Sequence, residues 1–76
     1  MTIKTERMSL TKYEVDRMIA EEPHVNNSLL VADLSTLRSM AKAVGKRTYR
    51  EEFCGVGYDA FDYGQYHLFA RNGVVN

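Results

Sequence analysis

The chain has one cysteine, Cys54, so it cannot form an internal disulfide, and it has one proline and no tryptophan. No run approaches the roughly eighteen apolar residues that a membrane-spanning helix needs, and the opening "MTIKTERMSLTKYEVD" is too polar for a signal peptide. A lone thiol in a chain without a secretion signal reads as reduced and cytoplasmic, the host cytoplasm if a phage encodes it. An excess of either charge is also missing: ten basic residues face ten acidic ones. Dedicated nucleic-acid binders usually carry a basic excess, because phosphate neutralisation supplies much of their affinity. With 76 residues, 45% of them hydrophobic, the chain reads as one small globular domain, residues 1–76, with a thin core.

Two further absences divide the chain. Glycine does not occur before Gly45, and methionine does not occur after Met40. The phenylalanines and all the tyrosines except Tyr13 lie beyond Gly45. The first part has helical periodicity. Thr11 and Glu14 fit a capping box, Leu10 and Val15 a hydrophobic staple, and Val15, Met18 and Ile19 share one face before Pro23 ends the helix, which predicts a helix over 12–22. Leu30, Leu34, Leu37, Ala41 and Val44 then form an apolar stripe along a second helix, capped by Ser28 and closed by Gly45. A short strand at "LLVA" followed by a helix capped at Asp33 or Ser35 is the alternative.

Beyond Gly45 the segments "TYREEFCGV" and "QYHLFA" read as strands, and Asn72-Gly73 as a two-residue hairpin turn. The expected architecture is α+β: two N-terminal helices packed on a small C-terminal antiparallel β-hairpin or three-stranded sheet.

The stretch "CGVGYDAFDYGQYH" (54–67) concentrates the chemistry-bearing residue types. "GVGYDA" matches G-x-G-x-x-A, but a dinucleotide site also needs a helix after it and a distant acid, so a bend between strands is the simpler account. Cys54 and His67 are a nucleophile and a base by type, although no cysteine-enzyme signature surrounds them, and a free cysteine is usually a small buried apolar residue. Cys54, Asp59, Asp62 and His67 lack metal-ligand spacing. The pairs Glu21–Glu22, Glu51–Glu52 and Asp59/Asp62 read as polar surface. No catalytic, metal or cofactor residue is assigned, and the chain is expected not to be an enzyme.

Lys42, Lys46, Arg47 and Arg50 form the single basic run. They complement the dipole at the end of the second helix or contact phosphate, with nearby tyrosines stacking on bases. "LSTLRSMAKAVG" (34–45) resembles the late packing helix of Cro-like and phage-repressor-like helix-turn-helix domains. That helix does not read bases, and the tight helix pair expected before it is absent, so no function is carried over.

The tyrosines and acids of the glycine-punctuated segment define the expected working surface: Tyr58, Asp59, Asp62, Tyr63 and Tyr66. Tyrosine is enriched at protein interfaces, and the acids call for a protein partner with a basic surface. The sequence reads as a small protein-binding module, monomeric or homodimeric, with no membrane contact. Its small size and balanced charge fit a phage- or mobile-element-encoded inhibitor of host nucleic-acid-handling machinery, anti-CRISPR-like in class. The alternative is a nucleic-acid-binding or transcription-regulatory protein that uses the basic run 42–50.

Overall fold

A computed structural model describes residues 9–74. The elements run α1 (Lys12–Glu21), β1 (Ser28–Leu30), α2 (Leu34–Ala43), β2 (Tyr49–Phe53), β3 (Val56–Tyr63) and β4 (Tyr66–Val74). The four strands form one mixed sheet in the order β1-β4-β3-β2, with β1 parallel to β4 and the other pairs antiparallel. The fold is α+β as expected, but the sheet has four strands, and one pairing is parallel.

The first helix starts as its sequence dictates. The Thr11 side chain accepts a hydrogen bond from the Glu14 amide, and the Glu14 carboxylate accepts one from the Thr11 amide at 2.8 Å. Val15 and Ile19 are buried, and Leu10 packs against the cluster that contains them. After Pro23 the chain reverses at Asn26 and Asn27, both with positive φ, while Val25 and Ser28 exchange backbone hydrogen bonds. This is a two-residue type I′ turn, a conformation asparagine tolerates.

That turn feeds β1, and the single helix expected from Ser28 to Val44 is corrected here: the strand-then-helix alternative is the one the structure adopts. Asp33 caps α2, its carboxylate accepting from the Thr36 amide at 2.8 Å. Capping requires Asp33 to leave helical angles, so the helix cannot extend back to Ser28. Leu30 therefore leaves the stripe and stands 61% exposed. Leu37, Met40 and Ala41 are buried, whereas Leu34 and Val44 are only partly so. Gly45 ends the helix at φ +72°. Its amide bonds the Lys42 carbonyl and the Lys46 amide bonds the Ala41 carbonyl, a Schellman motif.

The last three strands form a meander joined by two tight turns. Cys54 (φ 55°) and Gly55 (φ 79°) make the β2–β3 connection, with Phe53 opposite Val56, again a type I′ turn. Gly64 carries the positive φ of the β3–β4 turn, the pattern of a type II′ hairpin. Asn72-Gly73 is not a turn, a second correction. Both residues lie in β4, where Val56 pairs with Val74 and Tyr58 with Arg71, so β4 gains one residue at a bulge. Asn72 is held there by its side chain, which donates to Asp59 Oδ1 at 2.7 Å.

Both helices contribute to one core. Val15, Ile19, Leu37, Met40 and Ala41 pack with Leu29, Val31, Phe61, Leu68 and Ala70. Strand side chains alternate faces, so these residues define the covered side of the sheet. The opposite side is uncovered among the described residues.

Candidate functional site

The uncovered face is built by alternation along the strands. Tyr49, Glu51 and Phe53 come from β2, Tyr58, Ala60 and Asp62 from β3, His67 and Phe69 from β4, and Leu30 from β1, each aligned by cross-strand register. A solvated face of an antiparallel sheet normally carries polar residues. Here four rings form a connected row. Tyr58 meets Phe69 edge-on at 5.6 Å, Phe69 stacks on His67 at 5.7 Å, and Tyr49 lies 6.3 Å from His67. Ala60, between Tyr49 and Phe69 in register, is fully buried. Beside the row, a depression of about 540 Å³ is lined by Glu51, Glu52, Phe53, Tyr58, His67 and Phe69.

The row ends in a polar network. His67 Nδ1 lies 2.8 Å from Asp62 Oδ1 and its Nε2 lies 3.2 Å from Glu51 Oε1. The Tyr49 hydroxyl donates to Asp62 Oδ1 at 3.1 Å. Hydrogen bonds to Asp62 and then to Glu51 raise the His67 pKa against the opposing effect of burial. The His67 bond holds Asp62 below its ordinary value, helped by Tyr49 and by nearby Lys46. Burial, followed by the bond to Asp62, pushes the Tyr49 phenol up to about 12, so it stays a donor at neutral pH.

The His67 contribution is fully present below its unfolded value of 6.5 and is lost as pH rises through the higher folded value. The Asp62 contribution is present above 3.8 and is lost as pH falls through the lower folded value. The network therefore stabilises most between those two ordinary values. Urea midpoints should fall between about pH 5.5 and about pH 8 in the native protein, and fall less in His67→Gln. Parallel profiles for the two proteins would show that the network carries no stability.

The structure divides the sequence-predicted surface. Tyr58 and Asp62 lie on the uncovered face, but Asp59, Tyr63 and Tyr66 point to the helix side. Asp59 is 6% exposed; its carboxylate accepts from Arg38 Nη2 at 3.3 Å and from Asn72. Tyr63 donates its hydroxyl to Asp16 at 2.7 Å, tying β3 to α1, and Tyr63 and Tyr66 both pack against the core. These five residues do not form one patch. Asp59 is a structural anchor between α2, β3 and β4.

Cys54 is exposed at the β2–β3 turn, not packed as a small apolar residue. It lies at the end of the sheet marked by the Phe53–Val56 pair, while His67 lies at the end marked by the Asp62–His67 pair. Six residues of β3 separate those pairs, about 20 Å at ~3.3 Å per residue, so the thiol and the imidazole do not meet. The carboxylates of Glu51 and Asp62 engage opposite edges of the His67 ring, and no metal-binding group of three or more His, Cys, Asp or Glu residues occurs among the described residues. The "GVGYDA" glycines fall in a turn and inside β3, with no helix following among the described residues.

The basic run is exposed and dispersed. Lys42 sits in the last turn of α2, and Lys46 and Arg47 in the connection to β2. Arg50 pairs in register with Asp59 and so stands on the helix side. Sequence reasoning missed Leu30, Tyr49, Glu51, Phe53, His67 and Phe69 as a joint surface. The usable signal was alternation: Tyr49, Glu51 and Phe53 are spaced by two, as are His67 and Phe69.

Comparison of the chain with protein-family models, with curated proteins and with solved structures finds no match.

Proposed function

We propose that this protein is a small non-enzymatic protein-binding module whose working surface is the uncovered face of the sheet. One observation carries the reading. Leu30, Tyr49 and Phe53, at 61%, 42% and 70% exposure, share a face with Tyr58 and Phe69 that no element covers among the described residues. Clustered apolar exposure of this kind costs solvation energy in the free protein and marks a surface that a partner covers.

The partner we favour is a protein presenting a basic, partly apolar surface. Glu51 lines the depression beside Phe53 and Tyr58, and Asp62 lies at the end of the ring row, whereas Glu52, opposite Gly57, stands on the helix side. Carboxylates among exposed rings repel phosphate. A single-strand binder combines stacking rings with a positive groove, and here the basic run lies in α2, in a connector and on the helix side, which leaves Arg71, opposite Tyr58, as the arginine that strand register places beside the rings. Proteins that handle nucleic acid present basic surfaces, so an inhibitor that occupies such a surface in place of nucleic acid suits this chemistry.

Two variants separate the readings: Phe53→Ala with Tyr58→Ala on the face, and Lys42, Lys46, Arg47 and Arg50 each changed to Gln. Capture from the source lysate, with and without nuclease, should recover a protein on the native chain and on the basic-run variant, and lose it on the face variant. A labelled single-stranded oligonucleotide should not bind. Nuclease-sensitive capture, oligonucleotide binding and loss in the basic-run variant alone would replace this reading with a nucleic-acid one.

A further inference from the structure

We propose that the outer edge of β2 is a self-pairing strand, through which two copies of this chain join antiparallel about a two-fold axis at Glu51 and form one eight-stranded sheet. This goes beyond the partner reading and does not depend on it. β2 is the terminal strand of the sheet, and among the described residues no segment pairs with its outer edge. An edge strand offers a row of unpaired amides and carbonyls that another strand can take up.

The residues of the edge select a second copy. A two-fold axis perpendicular to the sheet keeps both helix layers on one side and sets a residue opposite its own copy. Centred on Glu51, it brings Arg50 opposite the copy's Glu52, twice, and Tyr49 opposite the copy's Phe53, also twice. Opposed charges and aromatic pairs across antiparallel strands are favourable. Centred one residue earlier, the axis sets Arg50 against Arg50. Centred one residue later, it sets Glu52 against Glu52. Only the Glu51 centre makes the flanking charges complementary. Charges on an edge strand usually prevent pairing, but these alternate in sign about the centre and complement themselves. The pairing also sets Glu51 opposite Glu51, and each of these carboxylates already lies 3.2 Å from a His67 nitrogen on its own chain, which offsets part of the repulsion. Tyr49 and Phe53 belong to the uncovered face, so pairing makes the two aromatic surfaces continuous.

The test is a charge swap read by sedimentation over a range of protein concentrations. The native chain should show a concentration-dependent dimer. Arg50→Glu and Glu52→Arg should each be monomeric, because either change sets like charges opposite one another at both flanking positions. The double swap should dimerise again. An equal mixture of the two single variants should form a heterodimer, in which both flanking pairs are complementary. Arg50→Glu places an acid opposite Asp59, so circular dichroism and the unfolding midpoint accompany each sample; Glu52→Arg and the double swap keep the test valid if that variant is unstable. A native chain that stays monomeric throughout overturns the proposal. So does a dimer indifferent to the single changes, or a double swap that fails to recover.

Discussion

Phe61→Ala is expected to lower the unfolding free energy by about 3–5 kcal/mol. Phe61 is fully buried and is among the largest side chains enclosed by the fold. It stands opposite Leu68 on the covered side of the sheet and shares one cluster with Val15, Leu37 and Met40, so both helices rest over it. Its truncation removes the transfer free energy of a phenyl ring and leaves a void that two short helices cannot fill without sliding. Small domains are stable by only about 5–10 kcal/mol, so the loss removes about a third or more of the total and should lower the unfolding midpoint sharply. Denaturant unfolding followed by circular dichroism measures the change. Leu34→Ala supplies the contrast: Leu34 is only partly buried, and its loss should be clearly smaller. Equal losses for the two variants, or a Phe61→Ala change under about 1 kcal/mol, would mean that the core is not centred where these contacts put it.

The second large effect is on binding. Phe53→Ala should weaken the partner complex by about 2 kcal/mol or more, roughly thirtyfold, while changing stability by less than about 0.5 kcal/mol. Phe53 is 70% exposed beside the β2–β3 turn, so the free protein gains little from its ring. Tyr58→Ala should reduce both quantities, because Tyr58 is half-buried and its ring meets Phe69. Calorimetric titration of the captured partner, paired with an unfolding curve for each variant, reads both numbers. Unchanged affinity in folded Phe53→Ala would remove the aromatic face as the working surface.

These two residues also show what the sequence makes legible. The α1 cap was readable because a capping box is local, with donor and acceptor three residues apart. The end of α2 was readable for the same reason: Gly45 supplies a left-handed residue wherever the helix lies. The start of α2 was not. The spacing of Leu30 suits a helix, and what overrides it is the Asp33 cap together with pairing to β4, a strand much later in the chain. Asn72-Gly73 has the composition of a turn, yet β3 continues far enough to pair alongside it, and Asp59 holds the Asn72 amide. Composition could not divide the tyrosines by face either. Tyr58 and Tyr63 differ by an odd number of positions, so on one strand they must point to opposite sides, and that follows only once β3 is known to be unbroken. The His67 network needs the register of three strands at once.

The parallel pairing of β1 with β4 bears on the order in which the chain assembles. β2, β3 and β4 are joined by two-residue turns, so their contacts close short loops and form early. β1 must find β4 across α2, β2 and β3, and the entropy of closing a loop grows with its length. The meander should gain protection first and β1 last. Pulse-labelled hydrogen exchange during refolding resolves this at named amides. Protection of the Val31 amide, bonded to the Phe69 carbonyl, and of the His67 amide, bonded to the Asn27 carbonyl, should lag behind that of the β3–β4 ladder. Simultaneous protection would show a nucleus that already contains β1. In the lagging case the docking of three residues, Ser28–Leu30, is the step that closes the sheet and brings Leu30 onto the aromatic face.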